Sequence, residues 1–250
     1  MFFSTDCVMA LKLRPNCGQI SVPYPLSTGP DCGDPWYKVR CNAATLLLDA
    51  LNGSSYMITS INPMTQTLII RPPGFAKNTC MAADFGTQGI HLDSNLPFNI
   101  TSTNTVMIMN CSNAVFQEFA ALNCSSTSIC DDYIRGNPEA RANCGALPNC
   151  CWYVTGGTPH TYRIRVHPER CSAYQSFVNL DMNLPVSKWP VPGLELQWLP
   201  PEEQKCKLPA DCKDLLNSMC LLDPVNVGQR RCLCKLGFQW NSIHGICQGQ

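Results

Sequence analysis

The chain has 250 residues, of which 18 are Cys and only 14% are charged, against about 25% charged residues in an average domain. Lys plus Arg equals Asp plus Glu, 18 against 18, so no net charge is available to hold nucleic acid or an anionic membrane by releasing counter-ions. A dense and even set of cysteines is typical of chains that form disulfides in an oxidising compartment, so the composition argues against a cytosolic enzyme.

The start of the chain does not match a secretory signal peptide. Residues 1–10 lack a basic leader and a long apolar core. No apolar run approaches the roughly 18 to 20 residues that a transmembrane helix needs, so no membrane-spanning segment is expected in this chain. Because the cysteine content nevertheless indicates secretion, we expect that the natural leader is missing or that the chain start is incomplete.

Short runs rich in β-branched and aromatic residues predict strands at 67–71, 105–109 and 161–166. In the last run, apolar Ile164 and Val166 alternate with Arg163 and Arg165, so both Arg side chains are expected on the solvent face. Helix-like spacing of apolar residues occurs at 113–122 and 211–219. The fold class that we predict is mainly β and disulfide-rich.

The cysteines fall into two groups along the chain. Twelve lie between Cys7 and Cys171, and after a gap of 34 residues six more lie between Cys206 and Cys247. The gap is rich in Pro and ends in polar residues, which places a module boundary near residue 200, and a polar break near residue 124 places a softer one. Pairing among the first twelve stays open, although adjacent Cys150 and Cys151 are expected to have different partners.

Four Asn-x-Ser/Thr sequons precede residue 126 and support passage through the secretory pathway. Two of them have Cys at the middle position, where a neighbouring disulfide would compete with glycosylation. The candidate N-glycosylation sites are Asn52, Asn99, Asn110 and Asn123.

The last six cysteines have the spacing C-x5-C-x7-C-x11-C-x-C-x12-C, and Cys234 is followed by Lys-Leu-Gly-Phe. This segment resembles an epidermal-growth-factor-like (EGF-like) module, which needs disulfides because so short a chain buries little apolar area. The resemblance implies the pairs Cys206–Cys220, Cys212–Cys232 and Cys234–Cys247. Some such modules bind Ca²⁺, but Glu202, Glu203 and Asp223 do not reproduce the acidic pattern, so no metal and no cofactor is expected.

The rest of the chain contains the motifs Asn16-Cys17-Gly18, Val22-Pro23-Tyr24-Pro25, Arg71-Pro72-Pro73-Gly74-Phe75, Leu96-Pro97-Phe98-Asn99-Ile100, Cys150-Cys151-Trp152 and Cys171-Ser172-Ala173-Tyr174. In this order they resemble the extracellular region of plant wall-associated receptor kinase-like proteins. The N-terminal part resembles their galacturonan-binding domain, and the part from residue 124 resembles their C-terminal extracellular domain. One departure is Arg14-Pro15-Asn16-Cys17-Gly18, where relatives usually open with Cys-Pro-x-Cys-Gly; Cys7 keeps the number of cysteines even from a displaced position.

The resemblance implies a multi-module extracellular region with three parts. These are a galacturonan-binding domain at 14–123, a wall-associated receptor kinase C-terminal domain at 124–200 and the EGF-like module at 201–250. The implied function is the binding of pectin or oligogalacturonide on the cell-wall side of the plasma membrane. Full-length relatives are expected to continue into a membrane anchor and a Ser/Thr kinase, which is not expected within this chain.

Polygalacturonate carries one carboxylate per sugar, so a protein that recognises it needs cations for the carboxylates and aromatic faces for the rings. With no net charge, such a site must be a local cluster. Arg163 and Arg165 form the densest group, together with His160, His167 and Arg170, although a solvated strand edge would look the same. The candidate polysaccharide-binding residues are Tyr24, Trp36, Tyr37, Lys38, Arg40, Arg71, Lys77, Arg163 and Arg165.

The sequence lacks several motifs that are typical of common enzyme classes. It has no Gly-x-Gly-x-x-Gly loop, no His-Arg-Asp, no His-Glu-x-x-His and no Gly-x-Ser-x-Gly motif. The alternative that we keep is a protein-interaction ectodomain, or a secreted truncated receptor, whose ligand is a peptide or a protein co-receptor. A degenerate fragment without a function of its own is the third hypothesis.

Overall fold

The computed structural model describes residues 16–29, 35–118, 122–125, 128–145, 149–156 and 161–249. The chain divides into two compact units. The first comprises the described residues of Met1–Leu46, Ile61–Gln66 and Leu199–Gln250, and the second comprises Leu47–Ser60 and Thr67–Trp198. Cys7 and Cys32 lie outside the described residues, as do Arg14 and His160.

The described part of the first unit begins with a loop-rich segment that contains the disulfide Cys17–Cys41. A short 3-10 helix at Pro35–Tyr37 precedes strand β1 (Arg40–Asn42). Parallel bridging between Ser27 and Lys38 brings the two halves of the segment side by side. Its buried apolar side chains include Val22, Leu26, Tyr37 and Val39.

The second unit contains most of the strands. Its larger sheet has the order β2-β3-β4-β11-β6, and a three-stranded sheet has the order β10-β7-β8. Strand β5 pairs with β9 in a separate two-stranded sheet. The strands are β2 (Thr45–Asp49), β3 (Ser55–Asn62), β4 (Thr67–Ile70), β5 (Gly89–His91), β6 (Phe98–Ile100), β7 (Asn104–Cys111), β8 (Cys150–Val154), β9 (Arg163–Arg165), β10 (Cys171–Val178) and β11 (Leu194–Trp198).

Three short helices complete this unit: α1 (Asn113–Glu118), α2 (Ile129–Gly136) and α3 (Pro138–Cys144). Helix α2 begins at Ser128, whose hydroxyl accepts a hydrogen bond from the Asp131 backbone N–H, as is usual for an N-cap. One face of α2 packs with Met107, Met109 and Phe177 of the three-stranded sheet. The disulfides of this unit are Cys80–Cys144, Cys111–Cys171, Cys124–Cys151 and Cys130–Cys150.

The C-terminal part of the first unit consists of two hairpins. Strand β12 (Ser218–Leu222) pairs with β13 (Arg230–Cys234), and β14 (Phe238–Asn241) pairs with β15 (Ile246–Gly249). The disulfides are Cys206–Cys220, Cys212–Cys232 and Cys234–Cys247, which is the pairing that the EGF-like resemblance implies. Its core consists of cysteines and Leu215, with Phe238 and Trp240 packed against it.

The fold class predicted from the sequence is confirmed, since 38% of residues are in strands and 14% in helices, with eight cysteine pairs among the described residues. The predicted strands at 67–71 and 105–109 correspond to β4 and β7, and the one at 161–166 is shortened to β9. The predicted helix at 211–219 is wrong, because a 3-10 helix at Pro209–Cys212 is followed by a turn and by β12. Disulfides tie Cys212 and Cys220 to different partners, and these cross-links override the helical spacing.

The module boundaries at 123/124 and 200/201 stay a prediction. Strand β7 precedes residue 124, yet it pairs with β8 and β10, and β11 pairs with β4. Residues from both sides of 123/124 therefore share sheets. Within the described residues, no helix has the length and apolar character needed to cross a membrane.

Candidate functional site

Two arginines lie on one outward face of the β5–β9 sheet. Ile164 is fully buried, so Arg163 and Arg165 on either side of it point to the opposite, exposed face. The strands are antiparallel, with Arg163 opposite His91 and Arg165 opposite Gly89. The Arg163 guanidinium lies 2.9 Å from Nε2 of His91. We call Arg163, Arg165 and His91 the basic row.

Gly89 keeps the position opposite Arg165 free of a side chain. Its φ of +83° is unfavourable for other residues, and a Cβ there would lie 2.4 Å from the Ile164 carbonyl oxygen. The close approach of the two strands therefore requires glycine. As a consequence, no side chain from β5 stands across from Arg165.

The turn that follows β9 adds further charged groups. Nδ1 of His167 accepts a hydrogen bond from the Glu169 backbone N–H at 3.3 Å. The backbone N–H of His167 donates to the Cys171 carbonyl. Arg170 is exposed, and its backbone carbonyl accepts from Ser112. His160, which the sequence placed in the same group, lies outside the described residues.

The candidates in the first unit have different environments. Trp36 is 51% exposed and Arg40 lies exposed on β1, so both are accessible. Tyr37 is only 6% exposed, and its hydroxyl donates to the Leu199 carbonyl at 2.8 Å, so its ring face is not available to a sugar. Lys38 donates to the Gly29 carbonyl and thereby fastens the neighbouring loop.

Tyr24 is half-buried because its ring covers the turn between β14 and β15. A Cβ on Gly245 would lie 2.5 Å from the Tyr24 ring, so this turn also requires glycine. Arg71 directly follows β4, and Lys77 lies in the next loop; both are exposed. Arg71 and Lys77 therefore lie on a different segment from the basic row. The disulfide Cys80–Cys144 anchors the segment that carries Arg71 and Lys77.

The tripeptide Asp84-Phe85-Gly86 matches the Asp-Phe-Gly sequence of protein kinases, but its surroundings differ. Asp84 is 8% exposed, and its Oδ2 accepts hydrogen bonds from the Tyr56 hydroxyl at 2.9 Å and the Tyr174 hydroxyl at 2.8 Å. Burial raises the pKa of Asp84, although both hydrogen bonds act in the opposite direction. This carboxylate therefore fastens β3 to β10.

The carboxylates that could have formed a calcium site in the EGF-like module are already occupied by an arginine. Arg231 is buried, and it contacts Asp223 through Nε at 2.5 Å and Glu202 through its terminal nitrogen. Its Nη1 also donates to the Glu203 carbonyl at 2.9 Å. The hydrogen bonds from Arg231 and Asn226 hold the pKa of Asp223 well below its usual range. An internal cation thus stands where a hard metal ion would need oxygen ligands.

Sequence reasoning missed two features. His91 was not recognised as a partner of Arg163, because only the pairing of β5 with β9 brings together residues 72 positions apart. A cavity of 390 Å³ was missed for the same reason. It is lined by Asp132, Gly136, Met182, Leu184, Pro185, Val186, Ser187 and Trp189.

Comparison with known proteins adds to this geometry. Residues 13–72 match the galacturonan-binding domain family of wall-associated receptor kinases. The chain is 48% identical to wall-associated receptor kinase-like 15 of Arabidopsis thaliana, over 99% of this chain and 39% of that protein. It is also 48% identical to wall-associated receptor kinase-like 20 of the same organism, over 93% of this chain and 36% of that protein.

The chain resembles the wall-associated receptor kinase-like proteins. No solved structure matches it. The chain spans less than two-fifths of the length of these relatives. The matches support the expectation of a wall-associated receptor ectodomain. Tyr24, Trp36, Lys38, Arg40 and Arg71 lie within the matched residues 13–72, whereas the basic row lies outside them.

Proposed function

We propose that this chain is the wall-facing extracellular region of a receptor-kinase-like protein and binds de-esterified pectin, an acidic galacturonan. Two findings support this: the match of residues 13–72 to a galacturonan-binding family, and the similarity to two wall-associated receptor kinase-like proteins. The chain itself acts as a binding region without catalysis, and phosphoryl transfer belongs to other parts of such receptors.

The observation that carries the proposal is the basic row. Alternate residues of a strand lie roughly 6.6 to 6.8 Å apart on one face, so Arg163 and Arg165 present two guanidinium groups in the same direction. Guanidinium pairs with carboxylate in a planar, two-pronged geometry and suits a polymer with a carboxylate on every sugar. His91 extends the row at the Arg163 end.

The matched residues of the first unit offer a second contact surface. Trp36 presents an exposed aromatic ring for a sugar face, and Arg40 lies four residues further on along the same segment. Aromatic faces provide attraction that does not depend on charge. Lys38 and Tyr37 contribute by fixing the loop and the core beneath them.

The test is binding of oligogalacturonides to the wild-type chain and to two double variants. We expect Arg163→Ala with Arg165→Ala to weaken binding by about tenfold, which corresponds to ~1.4 kcal/mol. The matched control is Arg141→Ala, an exposed arginine on α3 of the same unit, which should bind as wild type. Raised salt should weaken wild-type binding and have less effect on the double variant, because screening acts on charge pairs.

The second double variant, Trp36→Ala with Arg40→Ala, locates the site. If only this variant loses binding, pectin recognition lies on the matched segment, and our assignment to the basic row is wrong. If neither variant nor the wild type binds acidic sugars, the pectin proposal itself fails.

A protein ligand is the second candidate function, because the EGF-like module exposes apolar side chains. Leu222, Val225, Val227 and Leu236 are all more than two-thirds exposed. Exposed apolar side chains that form a patch are typical of protein interaction sites. Changing Leu222 and Val227 to Ser in the full chain should abolish capture of a protein co-receptor and leave oligogalacturonide binding unchanged.

A further inference from the structure

Two sequons without a middle cysteine, at Asn52 and Asn99, lie in the second unit, and both asparagines are partly buried but differ in the surroundings of the side-chain amide. Both have the tripeptide that oligosaccharide transfer requires. N-linked glycosylation replaces one hydrogen of the asparagine side-chain nitrogen, so the folded protein must spare that hydrogen and leave room for a sugar. Asn52 and Asn99 differ both in the hydrogen bonds of the side-chain nitrogen and in the room around it.

The Asn52 side chain is partly buried, and its amide group is directed into the protein. Its Nδ2 donates to the Thr87 carbonyl and to the Gly89 carbonyl, the latter at 3.3 Å. A primary amide has only two N–H groups, so both are used. The Oδ1 atom of Asn52 is buried as well. A sugar on Nδ2 would have to occupy the space that the backbone at 87–89 fills.

Neighbouring contacts hold the Asn52 turn against the same segment. The Ser54 hydroxyl lies 2.7 Å from the Thr87 hydroxyl, and the Leu51 backbone N–H donates to the His91 carbonyl at 3.0 Å. Moving the turn outward to admit a glycan would therefore break several bonds together. Buried carbonyls that lose their donors are costly, so the folded state strongly disfavours this movement.

Asn99 lies on the outward face of β6. Its neighbours Phe98 and Ile100 are buried, so the alternation of the strand points Asn99 away from the core. Across the sheet it stands opposite Gln197 of β11, which is exposed. The row of outward residues continues with Thr67 on β4 and is polar throughout. A glycan on this face meets polar side chains and solvent.

We propose that Asn99 carries an N-linked glycan in the secreted protein and that Asn52 remains unmodified. Asn52 is then a structural asparagine whose amide joins the turn at 51–54 to the segment at 87–89. A chain that received a glycan at Asn52 before folding could not form these contacts and would be retained in the cell.

The experiment expresses the full chain behind a secretory leader in a plant host and measures occupancy at each sequon by mass spectrometry of intact glycopeptides. In the secreted fraction we expect Asn99 to be occupied and Asn52 to be unoccupied. Molecules with a glycan on Asn52 should appear only in the retained intracellular fraction. No Lys or Arg lies between Lys77 and Arg135, so chymotrypsin rather than trypsin is used to separate Asn99 from the sequons at Asn110 and Asn123.

Three variants separate glycosylation from folding. Asn99→Gln should remove the mass of one glycan and leave the thermal unfolding midpoint of the enzymatically deglycosylated protein unchanged. Ser54→Ala removes the Asn52 sequon while keeping the asparagine amide, and it should not change the glycan mass of the secreted protein. Asn52→Gln should reduce the secreted yield without any loss of glycan.

The proposal is overturned if secreted, folded protein carries a glycan on Asn52, or if Asn99 is empty in the secreted fraction. It is also overturned if Asn52→Gln is secreted and unfolds like wild type, because the amide would then have no structural role. Each of these results is independent of pectin binding.

Discussion

Asp84 illustrates how a single buried residue is used in this chain. Its Oδ2 atom accepts hydrogen bonds from two tyrosine hydroxyls, whereas Oδ1 is buried without a partner among the described residues. Burial raises the pKa of Asp84, and it also raises the pKa of Tyr174. A desolvated carboxylate is tolerated here because it joins two strands that lie far apart in the sequence.

The raised pKa of Asp84 gives a pH dependence with a defined sign. For an acid whose folded pKa exceeds its unfolded value, the stabilising contribution is complete at low pH and is lost as the pH rises through the folded pKa. The variant Asp84→Asn has no ionisable group at this position, so its stability should not show this decrease with rising pH. We expect the free energy of unfolding of wild type, relative to the variant, to fall between about pH 4 and neutral pH. Urea unfolding of both proteins at about pH 4 and at neutral pH measures this difference in the free energy of unfolding. A difference that stays constant with pH would contradict the raised pKa of Asp84.

At the scale of elements, the β5–β9 pair positions the basic row. The pair has only three residues in each strand, and it depends on the close approach at Gly89. Its inward side is anchored by buried Ile90 and Ile164, so its outward side is held in place without needing contacts of its own. A short sheet thus presents two arginines on a fixed backbone.

Gly89→Ala should disrupt this element. The added Cβ would lie 2.4 Å from the Ile164 carbonyl oxygen at a φ of +83°, so we expect a loss of ~1–3 kcal/mol in the free energy of unfolding. Binding of oligogalacturonide should weaken together with stability. The matched control is Gly86→Ala, since no atom lies within 4 Å of a Cβ there; equal losses in both variants would show that the close approach is unimportant.

At the scale of the whole molecule, the two units are stabilised by different means. The second unit has a core of large apolar side chains, including Trp198, Tyr174 and Phe177, in addition to its disulfides. The EGF-like module in the first unit has mainly cysteines and Leu215 in its core. A segment of this size buries too little apolar surface, so cross-links and the Arg231 charge network replace a core.

The Arg231 network predicts that the module does not depend on calcium and is sensitive to acid. Because Arg231 already neutralises Asp223 and Glu202, the thermal midpoint of the module should be the same in calcium and in chelator. The lowered pKa of Asp223 contributes stability above its unfolded pKa, and this is lost as the pH falls through the folded value.

Asp223→Asn should therefore be less stable than wild type at neutral pH, and the difference should shrink in strong acid. Calorimetric unfolding of the full chain, compared between wild type and the variant, measures both effects. Stabilisation by calcium, or a difference that grows on acidification, would contradict the network. Lys213→Ala, an exposed lysine in the same module, serves as the control.

Sequence patterns predicted those features that depend on local spacing. The alternation at 161–166 indicated that Arg163 and Arg165 share an exposed face, because strand periodicity needs no knowledge of the partner strand. The helix predicted at 211–219 failed because cross-links from Cys212 and Cys220 override local preference. His91 could not be assigned to the basic row, since nothing in its neighbourhood in the sequence indicates pairing with β9.

The sequence by itself determined a disulfide-rich, mainly β fold, and the spacing of its last six cysteines resembles that of an EGF-like module, whose disulfide pairing the structure contains. Cysteine positions carry this information because disulfides tolerate only a narrow range of distances and thereby restrict the fold. Tertiary structure decided which candidate groups are accessible. Tyr37 is buried, the Asn52 amide donates to the Gly89 carbonyl, and Arg231 forms an ion pair with Asp223. Burial and strand pairing depend on residues far away along the chain, and only the folded backbone brings those residues together.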